Sequence, residues 1–236
     1  MPQALHHGRH VRSSINSASV ESGFGALARF DLPTCQTWLV TEVPIELPEP
    51  RPPRLLTVAE YAALGETEFG YTELLEGRLL LSPSPTPDHI YAMGEMFVAI
   101  RAALPRGLEA LQDADLDLRL APERSPGTVR RPDLMVVTAD ARRRVRAEGG
   151  LLQASDVSVV VEIVSPGSVR TDRLTKRGEY ADAGIPHYWI VDITEPVSIL
   201  ACYLAGEFGY VDSGEITDTF STREPFPLEL NPDRLL

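Results

Sequence analysis

Apolar positions in this chain come in short blocks of distinct period, punctuated by proline and glycine. Val157–Val164, VSVVVEIV, is a nearly continuous apolar run and predicts a central strand covered on both faces. Arg131-Pro132-Asp133-Leu134-Met135-Val136-Val137 predicts a second strand opened by an aspartate, and His187–Asp192 a third. A helix is expected from about Val169 to Ala183, closed by Gly184 and Pro186. On it Asp172, Lys176 and Tyr180 stand four apart and so share a face. Strand, helix and strand in that order make a crossover, so the expected class is α/β or α+β with a mixed central sheet.

The remaining blocks fill in around this centre. Thr57, with Glu60 three residues on, is a capping box for a short helix through Leu64. Residues 71–81 alternate as a hairpin turning at Glu76-Gly77, where glycine supplies the positive φ. Helical spacing runs from Asp88 to about Leu104, with Ile90, Met93, Phe97 and Ile100 as the expected core face. His89, in its first turn, is either an aid to a site or a surface histidine, and the surface place is the expectation. Asp113–Leu120 alternates strictly, which predicts a half-buried strand with a wet aspartate face. Ser198–Leu204, Glu207–Val211 and Ile216–Phe220 read as a C-terminal β meander.

Residues 1 to about 52 break this regularity with Ser, Asn and Gly clusters, then five prolines between Pro44 and Pro53. They are expected to form a poorly ordered extension ending in a stiff linker. The 236 residues, 43% hydrophobic, are enough for one sizeable core beyond it. A net charge of −12 argues against a chain that binds nucleic acid by overall charge, unless charge is local or a cation intervenes. Cys35 and Cys202 are too few for a disulfide framework or zinc knuckle, so a reduced, cytoplasmic setting is expected. No apolar run approaches the ~20 residues of a membrane span.

Chemistry concentrates in the central blocks. Glu162 lies inside an apolar strand, where a carboxylate is costly unless it is met by a cation or hydrogen-bond donors. It is either a structural acid paired with an arginine or a metal or catalytic carboxylate presented at a cleft. Asp133 places a second acid on what reads as the neighbouring strand. Lys176 is the only lysine; the other 21 of 22 basic residues are arginines. Lysine is a compact point charge suited to a water or a phosphate oxygen. Glu73, in the hairpin, is either a third acid of the site or a solvent-facing strand residue. Arg142, Arg143, Arg144 and Arg146 form a basic cluster expected to be solvated.

The order YTELLEG, SPSPTPDH, RPDLMVV, VVVEIVSPGS and DRLTKRGEYADAGIPHYWIVD resembles the Uma-two family of restriction-endonuclease-like proteins, within the PD-(D/E)xK nuclease superfamily. The likeness runs from about Leu55 to the C-terminus, and it implies a restriction-endonuclease-like nuclease domain over residues 53–236. Pro132-Asp133 matches the first superfamily element and Glu162 the acid of the second. The acid-x-lysine tripeptide fails, because Val164 stands where lysine is expected. The resemblance implies that Lys176, on the following helix, replaces it, and that Glu73 is a further catalytic acid. It implies a DNA endonuclease using Mg²⁺ (or Mn²⁺) held by Asp133 and Glu162; Arg130, Arg131, Arg170, Arg173 and Arg177 flank these positions and are expected to grip the DNA backbone. Homodimerisation is expected only by analogy. The competing expectations are a nuclease-fold binding module with little catalysis and a metal-dependent hydrolase of small phosphoesters.

Overall fold

The glutamate-bearing run forms the middle of a six-stranded mixed sheet. A computed structural model describes residues 54–65, 70–165 and 167–236. The expected extension over residues 1–52, with Cys35 and its histidines, lies outside the described residues. Their order is α1 (Val58–Leu64), β1 (Thr72–Leu75), β2 (Arg78–Leu81), α2 (Pro87–Ala103), β3 (Leu108–Gln112), β4 (Leu116–Asp117), β5 (Val129–Arg130) and β6 (Leu134–Thr138). There follow α3 (Ala139–Glu148), β7 (Leu152–Gln153), β8 (Val157–Val164), a π-helical turn (Thr171–Lys176) continuing into α4 (Arg177–Asp182), and β9 (His187–Asp192). β10 (Ser198–Leu204), β11 (Tyr210–Ile216), β12 (Phe220–Thr222) and β13 (Leu228–Leu230) close the chain.

The large sheet has the order β11-β10-β9-β8-β6-β3. Its β8–β9 pair is parallel, as the intervening helix requires, and its other pairs are antiparallel. Successive residues of β8 point to opposite faces. Val159, Val161 and Ile163 pack with Ala92, Met96 and Ile100 of α2 and with Phe220, Phe226 and Leu228 of the C-terminal ribbon β12–β13. Val160 and Val164 pack with Tyr180, Tyr188 and Ile190 on the other face, where α4 lies. Alternation therefore places Glu162 on the α4 face. The expected meander is present with shifted strands: β10 matches, Gly206–Phe208 is a 3₁₀ turn, β11 runs over Tyr210–Ile216, and a separate two-stranded ribbon follows.

A second sheet, β2-β1-β5-β4-β7, carries the hairpin. Leu75 pairs with Arg78 across a two-residue turn whose φ values are positive at both Glu76 (47°) and Gly77 (81°). Gly77 is required twice over, since a Cβ there would lie 2.7 Å from Pro126 Cβ and 2.8 Å from Leu55 Cβ. The Thr57–Glu60 capping box starts α1 as expected.

Two sequence expectations need correction. The core face of α2 is rotated: Ile90 is exposed, while Ala92, too small to register as a core position, faces the sheet with Met96 and Ile100. The aspartate strand shrinks to Leu116–Asp117, because Asp113 (φ 47°) and Arg119 (φ 56°) turn the chain on either side. Its aspartates are not a wet face. Asp117 is buried and accepts the Arg119 N–H, Asp115 pairs with Arg131, and Asp113 is half-buried.

Candidate active site

Pairing of β6 with β8 sets Leu134 opposite Val161, so the residue before β6, Asp133, comes level with Glu162. The backbone then fixes the aspartate: Ile163 N–H donates to Asp133 Oδ2 at 2.6 Å. The helix after β8 returns over the same face. Lys176 Nζ lies 2.9 Å from Glu162 Oε1 and 3.3 Å from Asp172 Oδ1, and the Tyr180 hydroxyl donates to Glu162 Oε1 at 2.7 Å. Asp172 Oδ1 is buried and has the Lys176 ion pair without hydrogen-bond geometry. Expected from α-helical spacing, the shared face of Asp172, Lys176 and Tyr180 survives the π-helical widening, a distortion that is frequent at functional sites.

Electrostatics follow from this crowding. Burial raises the proton affinity of Glu162; Lys176 opposes the rise, while Asp133 and Asp172 add to it. For Lys176, burial works against the ammonium, but Glu162, Glu73 and Asp172 outweigh it and hold the proton above lysine's ordinary value. Asp113 is raised by burial and then by the charge of Asp133, and its backbone N–H donates to the Asp133 carbonyl at 3.3 Å.

Glu73 is not solvent-facing. One oxygen accepts from Arg130 Nη1 at 2.8 Å and the other from the Arg131 backbone N–H at 2.9 Å. Arg130, with a side chain 2% exposed, also grips Glu179 through Nε and Nη2 at 2.7 Å each. Glu73 thus reaches the site through the strand that delivers Asp133. His89 also departs from its expected surface place. Its side chain is 12% exposed, and Nε2 lies 3.0 Å from Asp133 Oδ1. That bond raises its proton affinity, burial opposes the rise, and the charge of Asp133 reinforces it. No sequence signal separates such a first-turn histidine from a solvated one.

Most of the arginines expected to grip DNA are already engaged. Arg130 is buried, Arg131 pairs with Asp115 and stacks on Tyr71, Arg173 pairs with Asp192 and Glu215, and Arg177 with Asp212. Arg170 is exposed and has no partner among the described residues. In the other cluster Arg142, Arg143 and Arg144 pair with Glu109, Asp140 and Asp156.

The donor chemistry fits a divalent cation. Glu162 Oε2 makes no hydrogen bond among the described residues, and Asp133 Oδ1 meets only His89. Asp133 adds to the cost of charging Glu162, and such an ion would relieve that cost. Among the described residues, no group of three or more His, Cys, Asp or Glu side chains could hold a metal ion, so the protein offers such an ion two carboxylates at most.

Residues 58–231 match the family model of Uma2, described as "Putative restriction endonuclease". The chain belongs to the Uma2 family. Its fold is similar to the crystal structure of a nuclease from Anabaena variabilis described as "putative" and belonging to DUF820. The two share 20% identity and a TM-score of 0.56, covering 76% of this chain and 97% of that one. No curated protein matches the chain. The Uma2 fold here is a mixed α+β arrangement, and no helix among the described residues is long and apolar enough to cross a membrane.

Proposed function

We propose that this Uma2 protein is a divalent-cation-dependent endonuclease that hydrolyses DNA phosphodiester bonds, with its nuclease domain at residues 53–236. The observation that carries this is the meeting of Asp133, Glu162 and the chain's only lysine at one end of the central sheet. Asp133 and Glu162 would hold Mg²⁺, with Mn²⁺ as the other candidate. When bound, the ion supplies charge to draw in the phosphate and lowers the pKa of a coordinated water.

The chain's own residues divide the remaining work. Lys176 keeps its proton, so it serves as a fixed positive charge for the pentacovalent phosphorus centre rather than as a base. Tyr180 and Lys176 both hold Glu162 Oε1 and so fix the carboxylate, leaving Oε2 free for the cation. Glu73 is a positioning residue, because both of its oxygens are taken up by the strand leading into Asp133. Arg170 offers an exposed cation to the DNA backbone, a contact without sequence information.

The test is nicking of supercoiled plasmid with Mg²⁺ or Mn²⁺, comparing the wild type with Glu162→Gln and Asp133→Asn at equal folded content. Loss of activity in both variants is expected. Equal nicking by wild type and Glu162→Gln preparations would end the assignment. A second reading, hydrolysis of a small phosphoester, is favoured by the internally paired arginines and the net charge of −12. Turnover of mononucleotides or bis(p-nitrophenyl) phosphate without plasmid cleavage would select it.

A further inference from the structure

We propose, resting on the endonuclease reading above, that Tyr71 is a stacking platform for an unpaired base next to the cleaved phosphate. The preferred substrate is then DNA that is single-stranded or locally unpaired.

The hairpin places the ring. The Ser82 N–H donates to the Tyr71 carbonyl at 2.9 Å, continuing the β1–β2 ladder one residue beyond the Thr72–Leu81 pair. Side chains alternate along such a ladder, so Tyr71 leaves the same face as Glu73. Glu73 Oε1 accepts the Arg131 backbone N–H at 2.9 Å. Arg131 precedes Asp133 by two residues, at most ~7 Å of backbone. A second tie runs through the aspartate segment: Asp113 N–H donates to the Asp133 carbonyl at 3.3 Å, and Asp115 accepts from Arg131 Nε at 2.9 Å. Tyr71 therefore stands a few nucleotide steps, at ~3.4 Å each, from Asp133.

The ring is held on one side only. The Arg131 guanidinium lies 4.6 Å from its centroid, and Arg131 is itself clamped by Asp115 and Glu73. A ring already fixed against a cation costs little further ordering when a ligand arrives. A structural tyrosine gains by burying its ring and pairing its hydroxyl. Tyr71 does neither: it is 53% exposed, and its hydroxyl makes no hydrogen bond among the described residues. With Arg131 on one face, the surface left open is the other face and the edge.

The ligand class follows from that surface and from the charges around it. Every base has a π-face, so stacking tolerates any sequence, but a base offers that face only when freed from its own stack. Four of the five arginines near the site are tied to acids of this chain, and the net charge is −12. Phosphate contacts alone therefore give little hold. Stacking supplies binding that needs no free cation.

Anisotropy titrations of the full chain compare a single-stranded DNA oligonucleotide with its duplex, using wild type, Tyr71→Leu and Tyr71→Phe. Ca²⁺ replaces Mg²⁺, since it also takes oxygen ligands. The wild type should bind the single strand more tightly than the duplex. Tyr71→Leu should weaken single-strand binding by about 5- to 150-fold, which is the ~1–3 kcal/mol of one stacked base, and duplex binding by less than about twofold. Tyr71→Phe keeps the ring and should match the wild type. Equal single-strand binding by wild type and Tyr71→Leu, or an equal loss on both substrates, overturns the inference. Should Tyr71→Leu fail to fold, a single 2-aminopurine walked along the strand decides on the wild type. Quenching at one or two neighbouring positions supports the platform, and quenching at none refutes it. Tyr71-dependent binding by a protein that cuts neither plasmid nor single strand in Mg²⁺ or Mn²⁺ supports the platform and overturns the endonuclease reading. Plasmid nicking with single-strand binding indifferent to Tyr71 overturns this inference alone.

Discussion

Replacing Arg130 with methionine is the sharpest probe of how the site is held. Methionine keeps an apolar stem but removes three hydrogen bonds, at 2.8 Å to Glu73 and at 2.7 Å twice to Glu179. Both carboxylates are left in poorly hydrated places, their side chains 11% and 15% exposed. A unit charge pair at 2.8 Å attracts by about 6 kcal/mol gross at an effective dielectric of 20. Desolvation offsets much of that when the pair is intact, but an orphaned buried charge keeps the penalty, so the expected net loss is about 3–5 kcal/mol. Against a total of roughly 5–15 kcal/mol, this is a large share. Urea unfolding followed by far-UV circular dichroism reads it as a fall in midpoint of about 1–2 M, taking an m-value near the upper end of ~1–3 kcal/mol/M. Adding Glu73→Gln and Glu179→Gln to Arg130→Met should restore part of the loss, because the cost lies in unpaired charge. A loss below about 1 kcal/mol with an unchanged m-value, or no recovery in the triple variant, would refute this account of the clamp.

Other expectations concern single groups. Tyr180→Phe removes one of two donors to Glu162 Oε1; a loss near 1.5 kcal/mol should lower the melting temperature by about 3–6 °C, and an unshifted melt would show the bond to be idle. Burial lowers the proton affinity of His187 from its ordinary 6.5, with Glu224 weakly opposing. The unfolded chain then takes up the proton first, so the His187 contribution is intact above pH 6.5 and is lost as pH falls toward the folded value. His187→Gln should flatten that acid limb in pH-dependent denaturation, and an identical limb would contradict the assignment. Burial pushes the Cys202 thiol up to about 11, with Arg177 opposing. Iodoacetamide at pH 7.5 should leave its peptide unlabelled until urea is added, and native labelling at the unfolded rate would show the thiol to be open.

Local chemistry made much of this legible in the sequence. An acid inside a valine strand, an aspartate opening a neighbouring run and a solitary lysine two turns along a helix are one-dimensional signals, and the fold brings those residues together. Glu73 was visible as a candidate, but its engagement with Arg130 spans 57 positions, and no pattern encodes such a pairing. His89 was set at the surface for a similar reason: its partner is 44 residues away, and a histidine after a proline-rich loop looks the same whether it faces water or a carboxylate. The aspartates of 113–117 misled because alternation is shared by half-exposed strands and by residues that cap turns or meet arginines. Charge counting erred in the opposite sense. Arginines near the site looked available for DNA, but four of the five are tied to acids of the same chain.

The slip in pairing between β6 and β8, at Val136/Val137, has a further consequence for how this chain tolerates change. Val136 faces Val159 but Val137 faces Val157, so one residue of β8 is absorbed at the end of the ladder remote from Asp133. Insertions or deletions between Val137 and Val159 have a place to be taken up, and the two acids stay level. Beyond Val159 no such slack exists: a single-residue shift between Val159 and Glu162 would turn the carboxylate to the opposite side of the sheet, away from its ammonium. Length variation among Uma2 sequences should accordingly gather between Val137 and Val159 and spare Asp133–Val136 and Val159–Glu162.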